Sequence, residues 1–391
     1  MNVHFNRFLG IAVILCLLPI SIDACSDIST ERARETIAKK HLARADQNLL
    51  DGRLRIAEAG YSSVLRLNPL HPVARRGLAR VQASRVSTQS NTIDQNSVFT
   101  FAERFEYAVE KDPDYGPTYR IALGKIYQGL GNTKTALKWF TDAIESDPEN
   151  ARAWRLHGAI LSQRGELDEA IKSLEKSAKL NPKDGQTSFL MGVILKKQKK
   201  VPEAVAQLET AAKTVPTAST LFELGDAYIQ TEKPDKAYQV LNGALRAPGS
   251  KEIATSISAS LGVAAFRTKR YTEAVRYLQA AAKQSPTPGV LLNLAVAHQG
   301  MNNHPEALKL LQGIYQQQPT STDVNIRLML SLAQTQKVEA ARQVGARYLA
   351  FAQKNPQMAK GAEQVKKLMT QLPPKQPKMR MPPPQPMPMP K

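Results

Sequence analysis

Small and large apolar residues recur along residues 117–319 with a period close to 34 residues. In the first unit of this stretch, Gly124 stands eighth, Ala136 twentieth, Ala143 twenty-seventh and Pro148 thirty-second. Six units keep this order of small residues in near-continuous register, and Leu or an aromatic residue fills most of the fourth, eleventh and twenty-fourth positions. A period of this length predicts stacked supersecondary units, each of which needs its neighbours to bury its apolar face.

This pattern resembles the tetratricopeptide repeat (TPR), a unit of two helices, A and B. The resemblance implies that Gly124 and Ala136 lie where helices A and B cross, since only a small residue lets two backbones approach closely. A proline near position thirty-two, such as Pro148, ends helix B and turns the chain into the next unit. Aromatic residues make up only 6% of the chain, which also favours helices. The expected fold is all-α: a right-handed TPR superhelical solenoid of about eight to nine helix-turn-helix units.

The repeat pattern becomes weaker on both sides of the six regular units. We expect divergent TPR units over 37–113, with a polar loop insert near 84–96, either solvated or contacting a partner. Residues 320–372 predict a degenerate terminal unit followed by a polar-faced capping helix, as solenoid ends usually require. Residues 373–391 are rich in proline and basic, which predicts a disordered tail that acts as a spacer, a tether or a docking ligand.

The N-terminus has the pattern of an export signal. A polar start with Arg7 is followed by about fifteen mostly apolar residues, so we expect residues 1–24 to be a signal peptide and 25–36 to be a tether. Cys25 after Ala24 resembles a bacterial lipobox, which implies lipidation of Cys25. Asp23 departs from the usual motif. Plain secretion with cleavage after Ala24 and an uncleaved anchor are the alternatives.

The predicted signal peptide and lipidated Cys25 indicate where the chain is located and how it binds a membrane. A multiply acylated cysteine holds a protein stably on a bilayer. The expected location is therefore the periplasmic face of the outer membrane, reached through an N-terminal lipid anchor. A soluble periplasmic or secreted protein is the second expectation.

The chain carries a formal net charge of +19, which favours anionic partners. Lysine and arginine are nevertheless spread along the chain among acidic residues, without the interleaved aromatic residues of a base-stacking surface, so nucleic acid is a disfavoured partner. The six histidines show no metal-ligand spacing, and no phosphate loop or nucleophile motif is present. We therefore expect no enzymatic activity, no cofactor and no metal site.

The TPR resemblance also implies where a ligand binds, namely a concave groove lined by fixed positions of helix A. These positions combine basic and apolar side chains, which suits an extended or helical peptide of some acidic character. The alternative is that charged groove residues only keep this face soluble. The family's clamp for a C-terminal carboxylate is not expected, because Arg155 is followed by Ala159 at the ninth position. The predicted groove residues are Lys125, Arg152, Arg155, Leu156, Phe189, Lys196, Lys197, Phe222, Asp226, Arg267 and Asn293.

Signal and repeats together resemble the bacterial pilus-assembly TPR lipoproteins, that is, the tight-adherence pilus TPR proteins and the type IV pilus pilotins. The resemblance implies a non-catalytic scaffold that binds proteins of an envelope complex, such as a secretin. One alternative is a periplasmic adaptor for cell-wall enzymes or polysaccharide export. Another is a charge-driven binder of nucleic acid or anionic surfaces, whose affinity would fall strongly with salt.

Overall fold

The computed structural model describes residues 24–88 and 95–373, with side chains described over 33–86 and 101–373. Within these ranges the chain forms nineteen α-helices, two short 3₁₀ turns and no β-strand. The helices are α1 (Ala24–Leu50), α2 (Leu54–Leu67), α3 (Pro72–Thr88), α4 (Gln95–Lys111), α5 (Gly116–Gly129), α6 (Thr133–Ser146), α7 (Ala151–Arg164), α8 (Leu167–Leu180), α9 (Gly185–Lys197), α10 (Val201–Thr214), α11 (Ala218–Gln230), α12 (Pro234–Ala244), α13 (Ala254–Arg267), α14 (Tyr271–Gln284), α15 (Pro288–Gly300), α16 (His304–Gln317), α17 (Thr322–Gln334), α18 (Val338–Ala352) and α19 (Ala359–Gln371).

Two compact units divide the chain between Leu180 and Asn181. Unit 1 contains α1 to α8, and unit 2 contains α9 to α19. In both, an odd-numbered helix takes the place of helix A, and the even-numbered helix after it takes the place of helix B. The regular pairs pack as hairpins, and each B helix also packs against the A helix that follows it in the same unit.

The small residues of the repeat lie where paired helices cross. A Cβ atom added to Gly124 of α5 would overlap the ring of Phe140 on α6, and one added to Gly158 would come within 2.7 Å of the Leu174 side chain. Ala136, at the twentieth position of its repeat, is fully buried. The predicted all-α fold of stacked TPR helix pairs is confirmed for the described residues. The same relation recurs in unit 2 between Gly192 and Leu208, Gly225 and Leu241, and Gly262 and Leu278.

The first helix begins earlier than expected. Residues 25–36, predicted to be a tether, belong to α1, which starts at Ala24. No glycine or proline occurs between Ala24 and Leu50, so nothing in the sequence interrupts the helix. Cys25 is the second residue of α1, and its side chain lies outside the described part, as does the whole predicted signal segment before Ala24.

The third and fourth helices do not form a regular hairpin. Most of the predicted loop insert, 84–96, is helical, because α3 continues to Thr88 and α4 begins at Gln95, while 89–94 lie outside the described residues. Helix α3 packs mainly against α2 and α5, and only weakly against α4. Helix α4 packs instead on α5, where Phe105 joins Tyr119 and Leu123 in one core cluster. The insert thus shifts a B helix towards the next repeat.

The turns between helices A and B need one residue with a left-handed backbone. In unit 1 glycine takes this position, as at Gly131 (φ 74°) and Gly165 (φ 88°), because glycine adopts positive φ without steric cost. In unit 2 non-glycine residues take it, including Lys199 (φ 63°) and Lys269 (φ 62°). Such residues in this region are uncommon, so the turns of unit 2 carry backbone strain that those of unit 1 avoid.

The residue after this turn position caps helix B, and caps differ in quality along the chain. The side chains of Asn132 and Asn303 accept hydrogen bonds from the backbone N–H groups of Thr135 and Glu306. At four other B helices of unit 2 the cap is a cation that makes no such bond. A missing cap typically costs about 1 kcal/mol. These four cap residues are Lys200, Lys233, Arg270 and Lys337.

Helix α19 closes the apolar face of the last helix pair. Val365 and Leu372 are buried in a cluster with residues of α17 and α18. The Nη2 atom of Arg342 donates to the carbonyl oxygens of Leu372 (3.2 Å) and Pro373 (2.6 Å), which fixes the end of α19. The proline-rich residues 374–391 lie outside the described part of the chain. Within the described ranges, no helix combines the length and apolarity that a bilayer-spanning segment needs.

Candidate peptide-binding faces

Three of the predicted groove cations lie close together in unit 1. Lys125 lies on α5, while Arg152 and Arg155 lie on α7, the next A helix, and all three side chains are half-buried. Burial, together with the positive charges of Arg152 and Arg155, lowers the pKa of Lys125 to about 8. We call these three residues the α5–α7 cation cluster. Its electrostatics favour an anionic group beside Lys125.

The floor of this face is apolar. Leu156 is half-buried and packs against two core clusters, which include Ala153 and Ile144 in one and Phe140 in the other. It therefore contributes more to the packing of unit 1 than to an open surface. His157, one residue on, exchanges a hydrogen bond between Nδ1 and the Ser173 hydroxyl at 2.9 Å, and burial lowers its pKa.

One predicted groove cation of unit 2, Lys196, is neutralised within the chain. The ammonium group of Lys196 on α9 donates to the carboxylates of Glu223 (2.8 Å) and Asp226 on α11. Burial lowers the pKa of Lys196, but the two carboxylates outweigh this effect and the net shift is upward. Asp226 also accepts a hydrogen bond from Gln230. The sequence places Lys196 and Asp226 on one face, and the structure joins them into an internal ion cluster.

The predicted groove aromatics of unit 2 pack inward. Phe189 and Phe222 are half-buried and contact the core cluster around α10, α11 and α12. Arg267 donates from Nη1 to the carbonyl oxygen of Ile229 (2.7 Å), near the end of α11. Lys197 is exposed and Asn293 on α15 is half-buried. Of the predicted residues, the structure therefore brings together Lys125 with the two arginines of α7, and Lys196 with Asp226.

Successive A helices are also linked by polar bonds that the repeat pattern does not predict. Gln299 on α15 donates to the Ser331 hydroxyl (2.7 Å) and to the Arg327 carbonyl (2.9 Å) on α17. In unit 1 the amide of Gln128 donates to that of Gln163 at 3.3 Å. These residues stand about one repeat apart in sequence, and that spacing is the only signal from which such links could have been found.

A second polar centre of unit 1 lies in the irregular second repeat, formed by α3 and α4. Asp112 is buried, and both its oxygens accept from Arg80, at 2.7 and 2.6 Å, while Tyr119 donates its hydroxyl at 2.8 Å. The hydrogen bonds from Arg80 lower the pKa of Asp112 below its ordinary range. A cavity of about 230 Å³ opens beside this network. Its lining includes Asp46, Tyr61, Val73, Arg76, Gly77, Lys111 and Asp114.

The described side chains offer no arrangement for metal binding. Over residues 33–86 and 101–373, no group of three or more histidine, cysteine or acidic side chains stands close enough to hold a metal ion. His298 is buried on α15, and burial lowers its pKa. Repeat folds of this class serve in general as non-catalytic scaffolds that bind peptides or proteins.

Comparison with solved structures finds TPR proteins of low sequence identity. YrrB, a TPR protein with an unusual peptide-binding site, is 22% identical over 47% of this chain and 95% of its own, with a TM-score of 0.44. A chain of the APC/C heterotetramer Cut9–Hcn1 is 17% identical over 78% of this chain and 59% of its own, with a TM-score of 0.48. PilF of Pseudomonas aeruginosa is 20% identical over 56% of this chain and 96% of its own, with a TM-score of 0.46.

No curated protein matches this chain. A family model does match it, over residues 82–337, which is well over half of its length. The matched range begins in α3 and ends at the turn before α18, so it covers most of the stacked helix pairs. The chain belongs to the family described as the second ARM domain of tetratricopeptide repeat protein 21.

Proposed function

We propose that this chain is a non-catalytic scaffold that binds an acidic segment of a partner protein on the α5–α7 cation cluster. We further propose that it does so on the periplasmic face of the outer membrane, anchored through Cys25, in support of the assembly of a pilus or secretion complex. The observation that carries the binding proposal is the approach of Lys125, Arg152 and Arg155 to one another from successive A helices.

The charged form of Lys125 is disfavoured at its place in the cluster. The lowered pKa of Lys125 expresses this directly, since both burial and the neighbouring guanidinium groups disfavour its charged form. An acidic side chain placed beside Lys125 acts in the opposite direction, because a nearby negative charge favours the ammonium form. Arginine also pairs with carboxylates through two parallel hydrogen bonds, which adds geometric selectivity.

The equivalent face of unit 2 provides the internal comparison. There Lys196 already has Glu223 and Asp226 as partners, so an incoming carboxylate would compete with two intramolecular ones. Lys196 is therefore a poor site for an acidic ligand. The sequence supports the rest of the proposal: an export signal, a cysteine in a lipobox-like position, and a repeat array like that of pilus-assembly lipoproteins.

The binding proposal is tested with a fluorescent decapeptide that carries six glutamates, titrated against the full chain. We expect Arg152→Gln with Arg155→Gln to raise the dissociation constant at least tenfold. A matched control, Lys199→Gln with Lys213→Gln, removes the same charge from exposed positions of unit 2 and should change the dissociation constant less than twofold. Equal losses in both variants would reject the site.

The proposed anchor and partner are tested in cells of the organism that encodes the chain. Cys25→Ala should abolish palmitate labelling and move the protein out of the outer-membrane fraction; unchanged fractionation would refute the anchor. Crosslinking in outer membranes should then recover secretin or other pilus and secretion subunits with the native chain, and lose them with the Arg152→Gln, Arg155→Gln variant. Recovery of the same proteins with both would refute the scaffold role of this face.

A further inference from the structure

A second pair of cations lies in unit 1, outside the α5–α7 cation cluster. Arg75 is on α3, and Arg104 is on α4, the B helix that is shifted towards α5. If Gly77 is taken as the eighth residue of its repeat, Arg75 is the sixth and Gln82 the thirteenth, and both are ligand-facing positions of helix A in TPR proteins. Arg104 enters this face from a B helix, which a regular repeat would not allow.

Hydrogen bonds to neutral groups fix both arginines in place. The Nε atom of Arg75 donates to the carbonyl oxygen of Pro69 at 2.9 Å. Arg104 donates from Nη1 to the side-chain oxygen of Gln82. Both acceptors are uncharged, so these two hydrogen bonds orient each guanidinium group without neutralising its charge. Pre-oriented guanidinium groups are well suited to carboxylates, because fewer rotamers are lost on binding.

The two arginines also affect one another. Burial lowers the pKa of Arg104, and the charge of Arg75 lowers it further, with no carboxylate acting in the opposite direction. Other arginines of α3 contrast with this pair: Arg80 is bound to Asp112, and Arg85 to Glu58. Helix α3 therefore contains two arginines that are paired with carboxylates, Arg80 and Arg85, and a third, Arg75, that lies near another cation, Arg104.

We propose that Arg75 and Arg104 form a second anion subsite, so that the partner segment carries two acidic clusters, one for each subsite. This inference rests on the proposed function and extends it to the pattern of charge in the ligand. Helices α3 and α5 are adjacent A helices, about 8–10 Å apart at their axes. An extended peptide advances about 3.3 Å per residue, so about three residues span the step from α3 to Lys125 on α5, and about six span two such steps to the arginines of α7.

The test compares two synthetic peptides on the full chain. One carries two triplets of glutamate separated by five neutral residues, and the other carries one triplet followed by neutral residues. Arg75→Gln with Arg104→Gln should raise the dissociation constant of the first peptide at least tenfold and that of the second less than threefold. The matched control, Arg76→Gln with Lys111→Gln, removes the same charge from the same two helices and should change neither more than twofold.

Each outcome separates this inference from the proposed function. If Arg152→Gln with Arg155→Gln weakens both peptides while Arg75→Gln with Arg104→Gln weakens neither, the second subsite is refuted and the first stands. If the control pair weakens binding as much as the subsite pair, general charge attraction replaces the subsite. If neither peptide binds the native chain, both proposals fail. Thermal unfolding of every variant shows that the changes are not losses of fold.

Discussion

At the scale of single residues, Lys125 is the clearest mismatch between a side chain and its surroundings. Burial and two neighbouring arginines lower its pKa to about 8 in the folded chain, from an ordinary value of 10.5. Below pH 8 Lys125 is protonated in both the folded and the unfolded chain, so the unfavourable burial of its ammonium group lowers the stability of the fold in full. Between pH 8 and 10.5 the unfolded chain binds more protons than the folded one, so stability rises with pH across this window.

We therefore expect the free energy of unfolding to increase between pH 7.5 and 9.5 through Lys125. The shift corresponds to about 3 kcal/mol at most, and residual exposure reduces this to about 1–2 kcal/mol. Denaturant unfolding at the two pH values measures it. Lys125→Met should be more stable at pH 7.5 and lose this part of the pH dependence, whereas Lys134→Met, at an exposed position of α6, should retain it. An identical pH slope in both variants would contradict the assignment.

The sequence predicts which residues share a face but not how they are neutralised. Lys125 and Lys196 are both assigned to the A face by repeat register, and register alone does not show that Lys196 forms ion pairs with Glu223 and Asp226. Those partners, Glu223 and Asp226, lie about one repeat further along the chain. Lys196 forms these ion pairs because its side chain reaches from one A helix to the next. The register of the repeat does not predict which side chains are long enough and close enough to pair. Arg104 is missed for a related reason, because it belongs to a B helix.

At the scale of elements, the N-cap residues of the B helices differ in whether their side chains accept a capping hydrogen bond. Asn132 caps α6 with its side chain, whereas Lys200, at the same place before α10, cannot. A lysine side chain has no acceptor for the orphan N–H groups of the first turn. The same kind of cap occurs at three more B helices of unit 2, and once in unit 1, where Arg53 stands before α2.

We expect Lys200→Asn to stabilise unit 2 by about 1 kcal/mol, because asparagine supplies the missing acceptor. Amide hydrogen exchange should show increased protection in the first turn of α10 and in the α9–α10 hairpin. Lys197→Asn serves as the control, since it makes the same exchange of side chains three residues earlier, within α9, and should not stabilise. A gain of equal size from both would point to charge reduction instead of capping.

The elements themselves follow from sequence where the small residues are regular. Gly124 and Ala136 predict the α5–α6 crossing, and the structure places them there because a side chain at Gly124 would overlap Phe140. The α3–α4 pair could not be predicted in the same way. Gly77 fits the repeat, but its neighbour is Tyr61 of α2, since α4 packs on α5. Helix α4 could pack its apolar face on either α3 or α5. Residue spacing alone does not predict which of the two helices buries that face better.

At the scale of the whole molecule, each repeat in a stack is stabilised by the repeats next to it, so the last pair depends on a terminal helix to cover its exposed apolar face. Helix α19 covers α17 and α18 through Val365 and Leu372, and Arg342 fixes its end. Its outer side carries exposed Lys360, Lys366 and Lys367, which gives the stack a polar end. Without α19, the apolar cluster of the α17–α18 pair would face water.

Truncation after Asn355 should therefore destabilise the end of unit 2 while leaving unit 1 intact. Val365 and Leu372 are both almost fully buried, and burying an aliphatic side chain contributes about 1.5–3 kcal/mol, so we expect a loss of at least about 3 kcal/mol in the local stability of α17 and α18. Hydrogen exchange resolved by peptide measures this loss directly, helix by helix. Truncation after Pro373 retains α19 and both carbonyl acceptors of Arg342, so it should keep native protection. Equal protection of α17 and α18 in the two truncated chains would show that α19 does not cap the stack.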